Sequence, residues 1–169
     1  MRILLASTVA ALAASVLVTC GWSPPPAPAQ PIRFSHKVHA GDNIIGCTSC
    51  HVYAEHSPVA GIPSMQRCQG CHKFVKQDPQ NSKVTQEIQA LLVRLEQGTA
   101  IDWVRVYRVP DFVYFTHERH VAKGLRCQEC HGEVQAMEVM RQVSPLTMGW
   151  CLDCHHARKA PIDCWICHK

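Results

Sequence analysis

The phrase Cys-x-x-Cys-His occurs five times in the chain: at Cys47, Cys50 and His51; at Cys68, Cys71 and His72; at Cys127, Cys130 and His131; at Cys151, Cys154 and His155; and at Cys164, Cys167 and His168. These pentads use every cysteine except Cys20. Two thiols three residues apart share one face of a helical turn, and the histidine follows directly behind them. This is the attachment signal of a c-type haem: two thioethers grip the porphyrin edge and the histidine is carried under the iron as proximal ligand. Zinc also uses Cys-x-x-Cys, but a tetrahedral ion needs two such pairs or two further histidines per metal and gives no reason for a histidine at every fifth place. Disulfides would not select histidine either. The sequence therefore predicts five covalently attached haem c groups.

That prediction sets the fold class. With four Phe, four Trp, nine Gly, eleven Pro and 18% charged residues, the chain cannot build a large continuous apolar core. A body running from Ile32 to Lys169 offers roughly 28 residues per haem, so most apolar burial must be against porphyrin. The expected architecture is mainly α and irregular with little β structure. The formal charge of +4 changes sign once cofactors are added. Propionates and irons bring it to about −1 in the ferric state and about −6 in the ferrous state. Nucleic acid is not an expected partner.

Each iron needs a sixth ligand if it is to carry electrons without binding substrate. Six histidines lie outside the pentads: His36, His39, His56, His117, His120 and His156. Four of them form a repeat, Phe34-Ser-His36-Lys-Val-His39 before Cys47 and Phe115-Thr-His117-Glu-Arg-His120 before Cys127. Two histidines three apart on one turn can point to two different haems. His56, beside Glu55 and Pro58, reads as a solvated loop residue, and Met65 and Met137 read as gap-filling thioethers.

The phrase aromatic-x-His-x-x-His followed by Cys-x-x-Cys-His resembles the small multihaem cytochromes of the c3 and c7 type. In that family the first histidine of the pair ligates the haem that follows it and the second ligates a neighbour. The resemblance implies that His36 serves the haem on Cys47 and Cys50, His39 that on Cys68 and Cys71, His117 that on Cys127 and Cys130, and His120 that on Cys151 and Cys154. In the three-haem pattern the last distal ligand stands just before the second motif of the set. Met148 holds that place here, making it the first choice for the haem on Cys164 and Cys167. His156 is the second, because c3 cytochromes also use a histidine directly after the motif. A methionine in place of histidine raises the reduction potential.

Two c7-like modules are expected, residues 32–76 with two haems and 112–169 with three. Residues 77–111 join them. Val84, Ile88, Leu91, Leu92 and Leu95 follow helical spacing, and Gly98 suits a C-terminal stop, so this connection contains an amphipathic helix. Its stripe is expected to pack on haem faces or on the other module. Residues 102–109 have a strand-like composition before the turn at Pro110 and Asp111.

At the other end, residues 1–22 form an apolar segment that reads as a membrane-anchoring helix or a secretory leader, with Cys20 in a lipobox-like setting as a second means of anchorage. Residues 23–31 are a proline-rich spacer. The expected location is the periplasmic face of the cytoplasmic membrane, anchored by the uncleaved helix.

Haems ligated on both sides have no open coordination site, so electron transfer is the expected function rather than independent catalysis. A multihaem reductase of a small oxyanion is the competing class, and its pentahaem members typically carry Lys in place of His in one motif. All five motifs here end in His. The run from Trp103 to His120, followed by Cys127-Gln-Glu-Cys130-His131-Gly132 and Met148-Gly-Trp-Cys151-Leu-Asp-Cys154-His155, resembles the pentahaem cytochrome subunit of alternative complex III, with similarity from about Phe34 to Lys169. The resemblance implies a place in a membrane quinol-oxidising complex. Electrons would come from an iron–sulfur, molybdopterin-like protein subunit beside integral membrane quinol-oxidising subunits. They would go to a monohaem cytochrome c or another periplasmic acceptor. A free-standing anchored electron carrier is the remaining alternative.

Overall fold

The computed structural model describes residues 21–169. The apolar segment and Cys20 lie outside the described residues. Among those described, no helix is long and apolar enough to cross a membrane.

The chain is helical and irregular. A π-helical turn, Lys37–Asp42, is followed by α1 (Cys47–Cys50), α2 (Met65–His72), α3 (Ser82–Gln97), α4 (His117–Ala122), α5 (Gln128–His131), a 3-10 turn (Val134–Ala136), α6 (Met148–Ala157) and α7 (Cys164–Cys167). Each pentad sits on a short helix: α1, the end of α2, α5, α6 and α7.

The longest helix is bounded by recognisable chemistry. Asn81 Oδ1 accepts from the backbone N–H groups of Lys83 and Val84, capping the N-terminus of α3. Gly98 ends it with φ +66°, and the N–H groups of Gly98 and Thr99 bond the carbonyls of Leu95 and Arg94. The stripe is used within the chain: Leu91 joins Ile32 and Ile101 in a buried cluster flanked by Met65, Cys68, Leu95 and Trp103. This cluster sets α3 against the helix that carries the second pentad.

The strand-like segment does not enter a sheet. Among the described residues the one bridge of β type is antiparallel, between Val113 and His168. At Val104 a side chain takes the place of a neighbouring strand: Gln30 Nε2 donates to the Val104 carbonyl at 2.8 Å, and the Val104 N–H donates to Gln30 Oε1 at 2.9 Å. Ile32, two residues on, is buried in the cluster. The end of the proline-rich segment is therefore fastened to the body.

The segments around the first and third pentads interlock. The π-helical turn packs on the 3-10 turn, where the Lys37 N–H donates to the Met137 carbonyl at 2.9 Å. Ser35 Oγ donates to Glu138 at 3.0 Å. The N–H groups of His117 and Glu118, at the start of α4, bond the carbonyls of Pro58 and Ser57.

Little of this is held by an apolar interior. Among the described residues the buried apolar side chains are Ile32, Ala54, Ile88, Leu91, Ile101 and Met137, and no large side chain is completely enclosed. Phe74, Trp165, Phe112 and Tyr53 are exposed. So small a core cannot supply the apolar burial a body of this size normally depends on.

Candidate haem sites

The ten pentad cysteines are all free thiols, half-buried or exposed. Burial pushes the thiols of Cys50, Cys68, Cys127, Cys130 and Cys151 above the usual range. For Cys127 the neighbouring Cys47 adds to the effect.

Six of the imidazoles are held in one tautomer. His51 Nδ1 lies 2.7 Å from the Gly61 carbonyl, His72 Nδ1 3.0 Å from that of Val75 and His155 Nδ1 2.6 Å from that of Pro161. Outside the pentads, His39 Nδ1 meets the Ser35 carbonyl at 2.8 Å, His120 Nδ1 that of Thr116 at 2.8 Å and His117 Nδ1 that of Pro58 at 2.9 Å. A carbonyl only accepts, so in each case the neutral ring has its proton on Nδ1 and its lone pair on Nε2. Metal-binding histidines need that arrangement, because the second-shell bond fixes ring orientation and leaves the other nitrogen free to ligate.

The rings then meet in pairs. His39 and His72 have ring centres 6.2 Å apart, His117 and His131 6.3 Å, and His120 and His155 6.2 Å. A metal bonded at about 2 Å to two imidazole nitrogens, each about 1.1 Å from its ring centre, separates the centres by about 6.2 Å. The three spans therefore fit one iron between each pair. Each joins a pentad histidine to one from a Phe-x-His-x-x-His phrase. The two phrases are also alike in detail: Phe34 stacks on His39 at 4.3 Å and meets His36 edge-on at 4.9 Å, while Phe115 stacks on His120 at 4.5 Å and meets His117 edge-on at 4.9 Å.

Burial, with the nearby imidazoles of His51 and His39, pushes the pKa of His36 down to about 4. His131 is pushed down to about 4 by burial and by His117 and His51. Both are thus neutral near pH 7, the form that binds metal. His36 Nδ1 is buried without a hydrogen-bond partner, the one such side-chain atom found among the described residues.

The last pentad differs. His168 is stacked by Phe112 at 5.7 Å, and the Tyr114 N–H donates to the Cys167 carbonyl at 2.7 Å. Met148 opens α6 with 63% of its surface exposed, and His156 on the same helix is exposed as well. Met137 is buried, Met65 packs against the apolar cluster, and His56 is exposed with Nε2 4.0 Å from Glu55.

Two features have no sequence signature. The carbonyls that fix the tautomers belong to residues of any type. Tyr107 has its ring centre 4.4 Å from that of His131 with the planes at 69°, and only its place in an aromatic run would have drawn attention to it.

Among the described residues no three His, Cys, Asp or Glu side chains converge as a zinc site requires. Paired thiols on one helical turn, an imidazole behind them and a second imidazole at the span of one iron fit haem c. When bound, haem would supply one-electron redox chemistry.

Residues 113–169 match the family described as cytochrome c7 and related cytochrome c. The chain is also similar to the multiheme cytochrome c subunit of menaquinone reductase from Nitratidesulfovibrio vulgaris strain Hildenborough, with 37% identity over 103 residues. That match covers 60% of this chain and 45% of the relative, so the chain spans less than half of the relative's length. Over residues 113–169 the chain is thus similar to the cytochrome c7 family, and over 103 residues to a multiheme cytochrome c subunit.

Proposed function

We propose that the protein is a pentahaem electron-transfer subunit of a membrane quinone oxidoreductase of the alternative complex III type, anchored on the periplasmic face and without catalysis of its own. Its ligand sets are His36 with His51, His39 with His72, His117 with His131, His120 with His155, and Met148 with His168. The observation that carries the reading is the trio of histidine pairs at 6.2–6.3 Å. An iron with an imidazole on each face has no vacant position for substrate, which suits electron transfer. Continuity supports it too. His36 and His39 lie on one turn, His117 and His120 on another, and the Pro58 carbonyl joins the two regions at His117 Nδ1. The fifth set rests on Met148 because its thioether is exposed and outside the apolar cluster.

The relative's name favours menaquinone as the quinone. It also supports a second reading, in which electrons run from the haems toward the quinone rather than away from it. Partner subunits of the iron–sulfur and integral membrane kinds follow from either direction.

The test begins with the protein purified from detergent-solubilised membranes. A mass increased by five haems and co-purifying membrane subunits are expected. The intact complex should exchange electrons between menaquinol and a cytochrome c, and the faster direction decides between the two readings. Fast menaquinol turnover by the isolated chain would overturn the proposal. Low-temperature magnetic circular dichroism should show a methionine-to-iron charge-transfer band that disappears in Met148→Leu; a wild-type spectrum without it removes Met148 in favour of His156.

A further inference from the structure

Four of the pentad histidines are steadied in two different ways. An imidazole turns about a soft terminal torsion with broad minima, so something outside the side chain must fix its plane. For His51, His72 and His155 that is the carbonyl bonded to Nδ1. His131 makes no such bond to the described residues. Its ring instead meets that of Tyr107 in a T-shaped arrangement, with centres 4.4 Å apart and planes at 69°. This edge-to-face arrangement is the one aromatic quadrupoles prefer.

Tyr107 is itself tied down. Its hydroxyl donates to the Arg141 carbonyl at 3.4 Å and accepts from the Val143 N–H at 3.0 Å. Val143 in turn reaches the residue after His131: a Cβ built on Gly132 would stand 2.8 Å from Val143 Cγ2. Opposite His131, the His117 ring is held by the Pro58 carbonyl. The outcome is a pair of rings whose planes are within 7° of parallel, whereas the His39–His72 and His120–His155 pairs are inclined at 50° and 53°.

We propose that Tyr107 is a positioning residue that holds the His131 imidazole plane parallel to that of His117 at the third haem site. The inference rests on the haem reading above. Imidazoles with parallel planes donate π density into one iron orbital of a near-degenerate pair, splitting it widely and giving a rhombic low-spin ferric signal. Inclined imidazoles split it less and give a larger maximum g value.

The experiment uses the full haem-loaded chain. Covalent haem is first counted by mass, because a chain without haem overturns the haem reading itself and is thereby distinguished from a failure of this inference. Electron paramagnetic resonance of the fully ferric protein at liquid-helium temperature should include a rhombic low-spin species from the parallel pair beside species of larger maximum g from the two inclined pairs. In Tyr107→Ala the rhombic species should move to larger g with the other signals unchanged, and Tyr107→Phe, which keeps the ring edge, should retain it. A wild-type spectrum from Tyr107→Ala, or equal loss in Tyr107→Phe, overturns the inference. If Tyr107→Ala does not accumulate, Tyr107→Leu is measured the same way. Retention of the rhombic species in Tyr107→Leu, or failure of that variant to load haem, overturns it as well.

Discussion

Gly132 follows directly on the third pentad with φ +69° and ψ −165°, a region that side chains with a Cβ avoid. Replacing it by alanine brings two costs that can be separated. The backbone strain is about 2 kcal/mol. The new methyl would meet Val143 Cγ2 at 2.8 Å, and valine is stiff at χ1, so the contact cannot be relieved by a simple rotamer change. Overpacking of that kind adds about 1–2 kcal/mol. The expected total of about 3–4 kcal/mol is a large part of a typical stability of about 5–15 kcal/mol. For a chain of this length it lowers Tm by about 10 °C. Thermal unfolding of the haem-loaded protein, followed by far-ultraviolet circular dichroism, measures it. Val143→Ala removes the offending methyl, so in that background Gly132→Ala should cost only the backbone share, about 2 kcal/mol. A cost below about 1 kcal/mol in the wild-type background, or the same cost in both, would refute the reasoning.

Three further outcomes are expected. Leu91→Ala should destabilise by about 2–3 kcal/mol, toward the lower end for buried leucine because the surrounding cluster is small enough to collapse; denaturant titration checks this, and a change under about 1 kcal/mol counts against α3 being clamped by that cluster. His39→Ala should convert one haem to a high-spin form while the remaining signals persist, read by magnetic circular dichroism; a spectrum wholly low-spin would dissociate His39 from the site opposite His72. Chain produced without haem attachment should give the circular dichroism of a largely unfolded polypeptide, because the core described above is too small to fold alone; native-like helical content with a cooperative melt would contradict that.

Much of the local structure could be read from residue patterns. The spacing of Val84, Ile88, Leu91 and Leu95 with Gly98 behind them marks α3, whose observed limits are Ser82–Gln97. The three histidine pairs at 6.2–6.3 Å all combine a pentad with an aromatic-x-His-x-x-His phrase, because both phrases fix their histidines by local geometry: a Phe two residues ahead of the first histidine and, for the second, a carbonyl four residues back. What the pattern does not carry is whatever depends on distant backbone. The oxygens of Gly61, Pro161 and Pro58 reach their imidazoles through loop paths that no residue type announces. The segment around Val104 has the composition of a strand, but composition does not say that a glutamine amide will be its partner. Tyr107 belongs to the same class, since its role depends on carbonyl and amide groups 34 and 36 residues further along.

The bond from the Pro58 carbonyl to His117, with the seat that Met137 gives to Lys37, also bears on how the gene can be divided. Split anywhere between residues 76 and 112, it would yield two polypeptides, each missing a support that the other encodes. One would lack the shelf under its first pair of histidines, and the other the oxygen that orients His117. Shuffling such halves between related genes should therefore work only where the loop at Ser57 and Pro58 travels with a compatible downstream partner.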